Sequence, residues 1–196
     1  MKTLLYILLL SISTTAFAQI TQIPDPVFEQ ALIDLGIDSD GIINGQVLTS
    51  DVENVTSLNV TSKGIHDLTG LEDFVALENL NVSSNMMTSL SLVNNINLKE
   101  LIFNTSHNLV DIDVSNNINL ETLRSSYSFL TQIDLTSNTK LLELVLGEPA
   151  PSANHGIEFL DLTQNAMLQK LQLINLEFLQ TADLRSGNNT ILTDVF

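Results

Sequence analysis

The sequence predicts an α/β-type repeat solenoid, mostly β and loop, made of short parallel strands with a helical cap at the N-terminal side. Two observations support this prediction. A short apolar pattern recurs at a nearly constant interval over residues 55–184, and a helix pattern with a proline in its first turn precedes it. The length of 196 residues is enough for one such array with a sizeable core.

Each unit of the repeat contains the same apolar phrase twice. The phrase is an aliphatic residue, two other residues, a second aliphatic, one other residue, and an aliphatic or small residue. First phrases begin at Val55, Leu77, Leu98, Leu120, Leu141 and Leu168, at intervals of 22, 21, 22, 21 and 27 residues. Second phrases begin at Met87, Leu109, Leu130, Ile157 and Leu179, at intervals of 22, 21, 27 and 22 residues. Such short strands gain hydrogen bonds and a continuous apolar column when coils stack about 4.8 Å apart.

Asparagine recurs at one position after the second phrase. These residues are Asn95, Asn117, Asn138 and Asn165. Asn85 holds the equivalent place once after a first phrase. An Asn side chain is short, and its amide both donates to and accepts from main-chain groups in tight turns. We therefore expect a structural ladder of asparagines at the turns rather than a ligand site.

The phrase and its spacing resemble the leucine-rich repeat. The segment "GIHDLTGLEDFVALENL", Gly64–Leu80, resembles an internalin-type repeat. The chain also resembles secreted short leucine-rich-repeat proteins of Bacteroidota-type bacteria. This resemblance lies in the "IPD…F…AL…LGID" cap and the "DVSNN" coils. The internalin-type register implies that the first phrases form the concave sheet. The asparagine ladder instead favours the second phrases, and short strands on both sides are a third arrangement.

Three segments are expected along the chain. Residues 1–18 read as a secretory signal peptide, because Lys2 precedes the apolar run Leu4–Leu10 and the cleavage motif Ala16-Phe17-Ala18. Residues 19–53 form the helical cap and residues 54–196 the array. Since an apolar phrase begins again at Leu192, we expect the array to continue beyond Phe196.

The cap helix is expected in "IPDPVFEQALIDLGI". Pro26 suits its first turn, and Gly36 ends it. Its expected apolar face consists of Phe28, Leu32, Ile33 and Leu35. Covering the apolar end of the first coil is the role that such arrays require of a cap.

Charge and composition exclude several classes of function. The net charge of −16 repels phosphate backbones and anionic lipids, so we expect no nucleic-acid partner and no membrane insertion. Without cysteine there are no disulfides, thiolate metal sites or cysteine nucleophiles. The signal peptide predicts a secreted or cell-surface protein.

One outward position of the second phrases is acidic in four coils. These residues are Asp113, Asp134, Asp161 and Asp183. Stacking would place neighbouring carboxylates roughly 5 Å apart, at one coil-to-coil step. Calcium could bridge them, but hydrogen bonds from backbone or Ser/Thr groups, or simple exposure, are favoured. The segment "DSDGIINGQ", Asp38–Gln46, matches only a fragment of a calcium loop and predicts tight turns instead. We expect no cofactor, with calcium as the alternative.

The expected function is a binding module that recognises a protein partner through a rigid solenoid face. The predicted contact patch is Ile102, Arg124 and Val145, flanked by Asn81, Glu100 and Glu143. Interfaces favour arginine and desolvated apolar groups. The loop "GEPAPSANHG", Gly147–Gly156, is a second possible recognition site or a neutral insertion.

An enzyme is not expected. The three histidines share no repeat position, and no serine has a matched base. The alternative is a carbohydrate-binding or carbohydrate-active surface protein of parallel β-helix type, because closely spaced carboxylates also occur in retaining glycosidases. A surface glycan would then be the partner, although the chain has no tryptophan to stack on sugar.

Overall fold

A computed structural model describes residues 18–147 and 156–185, and the backbone of 194–195. Most of the predicted signal peptide, the interior of the 147–156 loop, and Leu192 and Phe196 lie outside this range. No helix in the described part is long and apolar enough to cross a membrane.

A parallel sheet of seven strands forms one side of the solenoid. Its strands, in spatial order, are β3 (Ser57–Asn59), β4 (Asn79–Asn81), β5 (Glu100–Ile102), β6 (Thr122–Ser125), β7 (Glu143–Gly147), β9 (Lys170–Ile174) and β11 (Asp194–Val195). The order along the chain is also the order across the sheet, as expected when each coil stacks only on its neighbours. The predicted parallel solenoid is confirmed.

All of these strands up to β9 lie in first phrases, so the internalin-type register is the right one. Among the described second phrases, only β8 (Phe159–Asp161) and β10 (Thr181–Asp183) pair as strands. The argument that the asparagines mark the main sheet was wrong. They lie in turns, where Asn117 N–H bonds to Val114 O at 3.0 Å and the chain leaves the extended conformation.

A single apolar core runs through the coils. The central leucines of the strands align in one row and are each at most 1% exposed: Leu58, Leu80, Leu101, Leu123, Leu144 and Leu171. Residues of the second phrases, such as Val114 and Leu135, pack into the same core from the other side. The expected shared spine of aliphatic side chains is therefore present.

The turn asparagines bond each coil to its neighbour. Asn117 Nδ2 donates to Leu92 O at 3.1 Å and to Asn95 O at 2.9 Å, and Asn138 repeats this pattern on Val114 O and Asn117 O. Asn95 and Asn165 make the same kind of pair, and all four are fully buried. We call these four residues the asparagine ladder.

Two strands and two helices precede the array. They are β1 (Ile20–Gln22), α1 (Pro26–Asp34), β2 (Gln46–Leu48) and α2 (Thr49–Val52), with β1 and β2 antiparallel. A 3-10 helix at Leu71–Asp73 follows in the first coil. Phe28 of α1 stacks on Phe74 of that coil with ring centroids 6.4 Å apart, so the helix covers the array as expected.

Two acidic side chains stabilise this cap by accepting backbone hydrogen bonds. Asp25 Oδ1 accepts from the N–H groups of Val27 and Phe28 at the start of α1, while its Oδ2 accepts from His66 N–H at 2.7 Å. Glu29 is fully buried and accepts backbone N–H groups of residues 44–46. The expected apolar face needs a correction, because α1 ends at Asp34 and Leu35, just past it, is 48% exposed.

Candidate binding face

Two rows of side chains point outward from the sheet, since strand residues alternate between its faces. The first row is Ser57, Asn79, Glu100, Thr122, Glu143 and Lys170. The second row is Asn59, Asn81, Ile102, Arg124, Val145 and Gln172. We call these twelve residues the sheet face. All six residues of the predicted site lie in it, and Ile102, Arg124 and Val145 are consecutive members of the second row.

An ion triad occupies the centre of the sheet face. Arg124 Nη2 lies 2.9 Å from Glu143 Oε2, and Lys170 Nζ lies 2.8 Å from Glu143 Oε1. Burial raises the pKa of Glu143, but hydrogen bonds and charge from the two basic groups outweigh it and hold that pKa below its ordinary value. Glu143 thus stays ionised, and Arg124 is already paired rather than a free cation.

The apolar part of the predicted patch is smaller than expected. Val145 is only 6% exposed, although its position points away from the core. It lies between Arg124 and Gln172 in the sheet register, and these longer side chains flank a short one. Ile102 is half-buried and is the apolar residue that remains accessible in the patch.

Lys170 lies next to Glu143 in the first row, but it is not one of the six residues of the predicted patch. The signal was present, because the first-phrase alignment already placed Lys170 in the row of Glu143. A lysine and a glutamate directly opposite each other on adjacent strands are close enough to pair. The second pairing, from Arg124 across to Glu143, depends on side-chain rotamers that periodicity does not give.

The four aspartates at the outward position of the second phrases, which we call the acidic column, accept hydrogen bonds from backbone N–H groups in turns. Asp113 Oδ1 accepts from Ser115 N–H, and Asp134 Oδ1 accepts from Thr136 N–H, each at 2.9 Å. Side-chain and backbone hydrogen bonds from Ser115 and Thr136 lower the pKa values of these aspartates, even though Asp113 opposes the ionisation of Asp134. Asp161 and Asp183 repeat the same turn, and Arg185 lowers the pKa of Asp183 to about 2. Hydrogen-bonding to main-chain donors is therefore one use of this column.

The residues proposed as metal ligands do not gather in one place. Within the described ranges, no three His, Asp or Glu side chains are placed to hold one ion. In the DSDG segment, Asp38 and Asp40 accept from backbone N–H groups two residues further on, as in tight turns. Burial raises the pKa of Asp38 above its ordinary value.

Comparisons with known proteins show which solved structures have a similar fold. No protein-family model and no curated protein matches the sequence. Among solved structures, the internalin inlF of Listeria monocytogenes is 25% identical with a TM-score of 0.67, over 88% of this chain and 52% of that one. The functional domain of InlJ, from the same species, is 21% identical with a TM-score of 0.62, over 93% of this chain and 48% of that one. The chain spans about half the length of these internalins.

The chain thus has the leucine-rich-repeat solenoid fold of these internalins. The InlJ domain is described as including a cysteine ladder. This chain has no cysteine, and asparagines bond its successive turns.

Proposed function

We propose that the chain is a secreted or cell-surface binding module that recognises a protein partner, in adhesion or recognition, through its sheet face. The observation that supports this most is the contrast between the two sides of each strand. The inward leucines are nearly invariant, whereas the outward rows contain amide, acidic, basic and apolar side chains. Internalin-like structures also favour a protein-binding role, and the signal-like residues 1–18 favour export.

The sheet face is organised before a partner arrives. Five strand-to-strand steps of about 4.8 Å make it about 24 Å wide, with its backbone fixed by ladder hydrogen bonds. Arg124, Glu143 and Lys170 hold one another in place through the ion triad. Ordering side chains costs free energy on association, so a surface that is already ordered loses less when it binds. Ile102 beside this triad provides the apolar contact that interface centres favour.

The absence of cysteine makes a direct test possible, because one introduced thiol can hold a photo-crosslinker. We expect Ile102→Cys on the sheet face to crosslink a defined protein from surface extracts of the producing organism, identified by mass spectrometry. Asn81→Cys should crosslink the same protein. Ile118→Cys is the matched control, since Ile118 is 55% exposed but lies in a turn outside the sheet face. Equal crosslinking at position 118, or partner retention without crosslinking at 81 and 102, would contradict the proposal.

A further inference from the structure

The second-phrase side of the solenoid contains an open groove of about 1050 Å³. Residues 89–91, 111–113 and 131–134 of three successive coils form most of it, and Gly156, Glu158 and Phe159 of the next coil continue it. Phe178 lies at its end. We call this cavity the acidic groove. It faces away from the sheet face, so the function proposed above does not use it.

The acidic groove has negative charge that the described chain does not compensate. Its lining includes Asp111, Asp113, Asp134 and Glu158, and no Lys or Arg among the described residues. Five of the six basic side chains in the described ranges are in ion pairs elsewhere. The sixth, Lys140, donates to the side-chain oxygen of Asn119.

The floor of the acidic groove is apolar, and only a small part of each floor side chain is exposed. Leu90, Ile112 and Ile133 are 8–9% exposed there, whereas the row of strand leucines is at most 1% exposed. Phe159 stands at one end and is 57% exposed, at a place where the preceding coils have Asp111 and Gln132. An exposed aromatic ring beside carboxylates suits a guanidinium group, which is attracted to the ring face.

We propose that the acidic groove binds an extended peptide segment rich in arginine and lysine, presented by a partner protein. The carboxylates complement the cationic head groups, and the aliphatic stems of the same side chains cover the apolar floor. Phe159 favours arginine over lysine at its end of the groove. Four coils span three steps of about 4.8 Å, which is the length of about four extended residues.

The test uses the full chain and a fluorescein-labelled hexa-arginine peptide, followed by fluorescence anisotropy. Asp111→Asn/Glu158→Gln removes two groove charges that cap no turn. We expect the Kd to rise about tenfold, as two partly exposed charge contacts imply, with an unchanged melting temperature. Glu53→Gln/Glu121→Gln removes the same charge from exposed acids outside the groove, and its Kd should change less than about twofold. Equal weakening by both pairs would show attraction to net charge alone and overturn the proposal.

Phe159→Ala tests the aromatic contact. The parent chain should bind hexa-arginine more tightly than hexalysine, and the variant should lose that preference while retaining both peptides. A preference that survives the substitution would contradict the placement of arginine at Phe159. Binding of a neutral polysaccharide in place of the peptides, abolished by Phe159→Ala, would overturn the proposal in favour of a glycan.

Discussion

Asn117 shows how one buried side chain joins two coils. Its amide donates to two carbonyls of the preceding coil, at Leu92 and Asn95, each of which also accepts one backbone N–H of its own turn. Because these buried amide bonds join each coil to the next, the asparagine ladder contributes to stability at every turn where it occurs.

Replacing Asn117 by alanine removes two buried hydrogen bonds between neighbouring coils. Since two buried hydrogen bonds contribute about 0.5–1.5 kcal/mol each, we expect Asn117→Ala to lower the free energy of unfolding by about 1–3 kcal/mol, measured by urea denaturation. Asn116→Ala is the matched control, because Asn116 is exposed and makes one long bond of 3.3 Å to Val93 O. That control should cost less than about 0.5 kcal/mol. Similar losses for the two variants would refute the special role of the buried amide.

The backbone conformations of some single residues could not be predicted from the sequence. Ser62, Ser84, Thr105 and Tyr127 all have φ between 56° and 59°, at the same place after successive sheet strands. Glycine or asparagine would have marked these left-handed positions, but among the equivalent residues that the structure describes only Asn175 does so. The coil geometry therefore imposes this conformation on residues that do not favour it.

The attachment of the cap to the first coil involves the carboxylate of Asp25. Asp25 accepts four backbone N–H groups, two from α1 and two from His66 and Asp67 in the first coil. Burial raises the pKa of Asp25, but these hydrogen bonds outweigh it and leave the pKa below its ordinary value. The ionised carboxylate is thus the form that the folded protein stabilises.

A lowered pKa gives a stability term that is present at neutral pH and lost in acid. The contribution of Asp25 should be complete above its unfolded pKa of about 3.9 and disappear as the pH falls through the folded value. Asp25→Asn should therefore be less stable than the parent at pH 7, and the difference should shrink below pH 4. Urea unfolding at pH 7, 4 and 3 measures this. Glu53→Gln, at an exposed acid after α2, serves as the control, and a pH-independent difference for Asp25→Asn would contradict the linkage.

The sequence predicted the elements better than their pairing. The proline, the apolar spacing and Gly36 were enough to locate α1, whose observed bounds are Pro26–Asp34. The two phrases of each coil have nearly the same apolar spacing, so periodicity could not decide which one forms the sheet. The asparagine ladder did not decide it either, since these residues bond their turns to the preceding coil and do not mark the main sheet.

At the scale of the whole molecule, stability accumulates through contacts between adjacent coils. Leu123 lies in the middle of the leucine row, fully buried between Leu101 and Leu144. A charge at this place would interrupt the core that the coils on both sides share, since an ionised group has no partner there.

We therefore expect Leu123→Asp to lower the free energy of unfolding by about 4 kcal/mol or more and to abolish the cooperative transition in circular dichroism. Ile102→Asp, on the outward side of the neighbouring strand, is the control and should melt close to the parent chain. A parent-like melting curve for Leu123→Asp would show that the leucine row does not hold the array together.

The outward placement of the sheet-face side chains was predictable from the sequence, but their pairing and burial were not. Alternation identified the outward residues of the sheet face, including Ile102 and Arg124. It could not show that Arg124 is paired with Glu143 or that Val145 is covered, because both depend on long side chains from adjacent strands. The acidic groove was equally hidden, since its shape arises from four coils together.

The asparagine ladder also makes the coil an interchangeable unit of length. Asn95 and Asn117 are separated by one full period, and each bonds to the turn before it in the same way. If a gene lost the codons for one period, the next asparagine would meet an equivalent pair of carbonyls. Duplication would likewise supply a new turn with its own donor already in place. Such a chain can lengthen or shorten during evolution in steps of one coil, changing the reach of its outer surface without redesigning its interior.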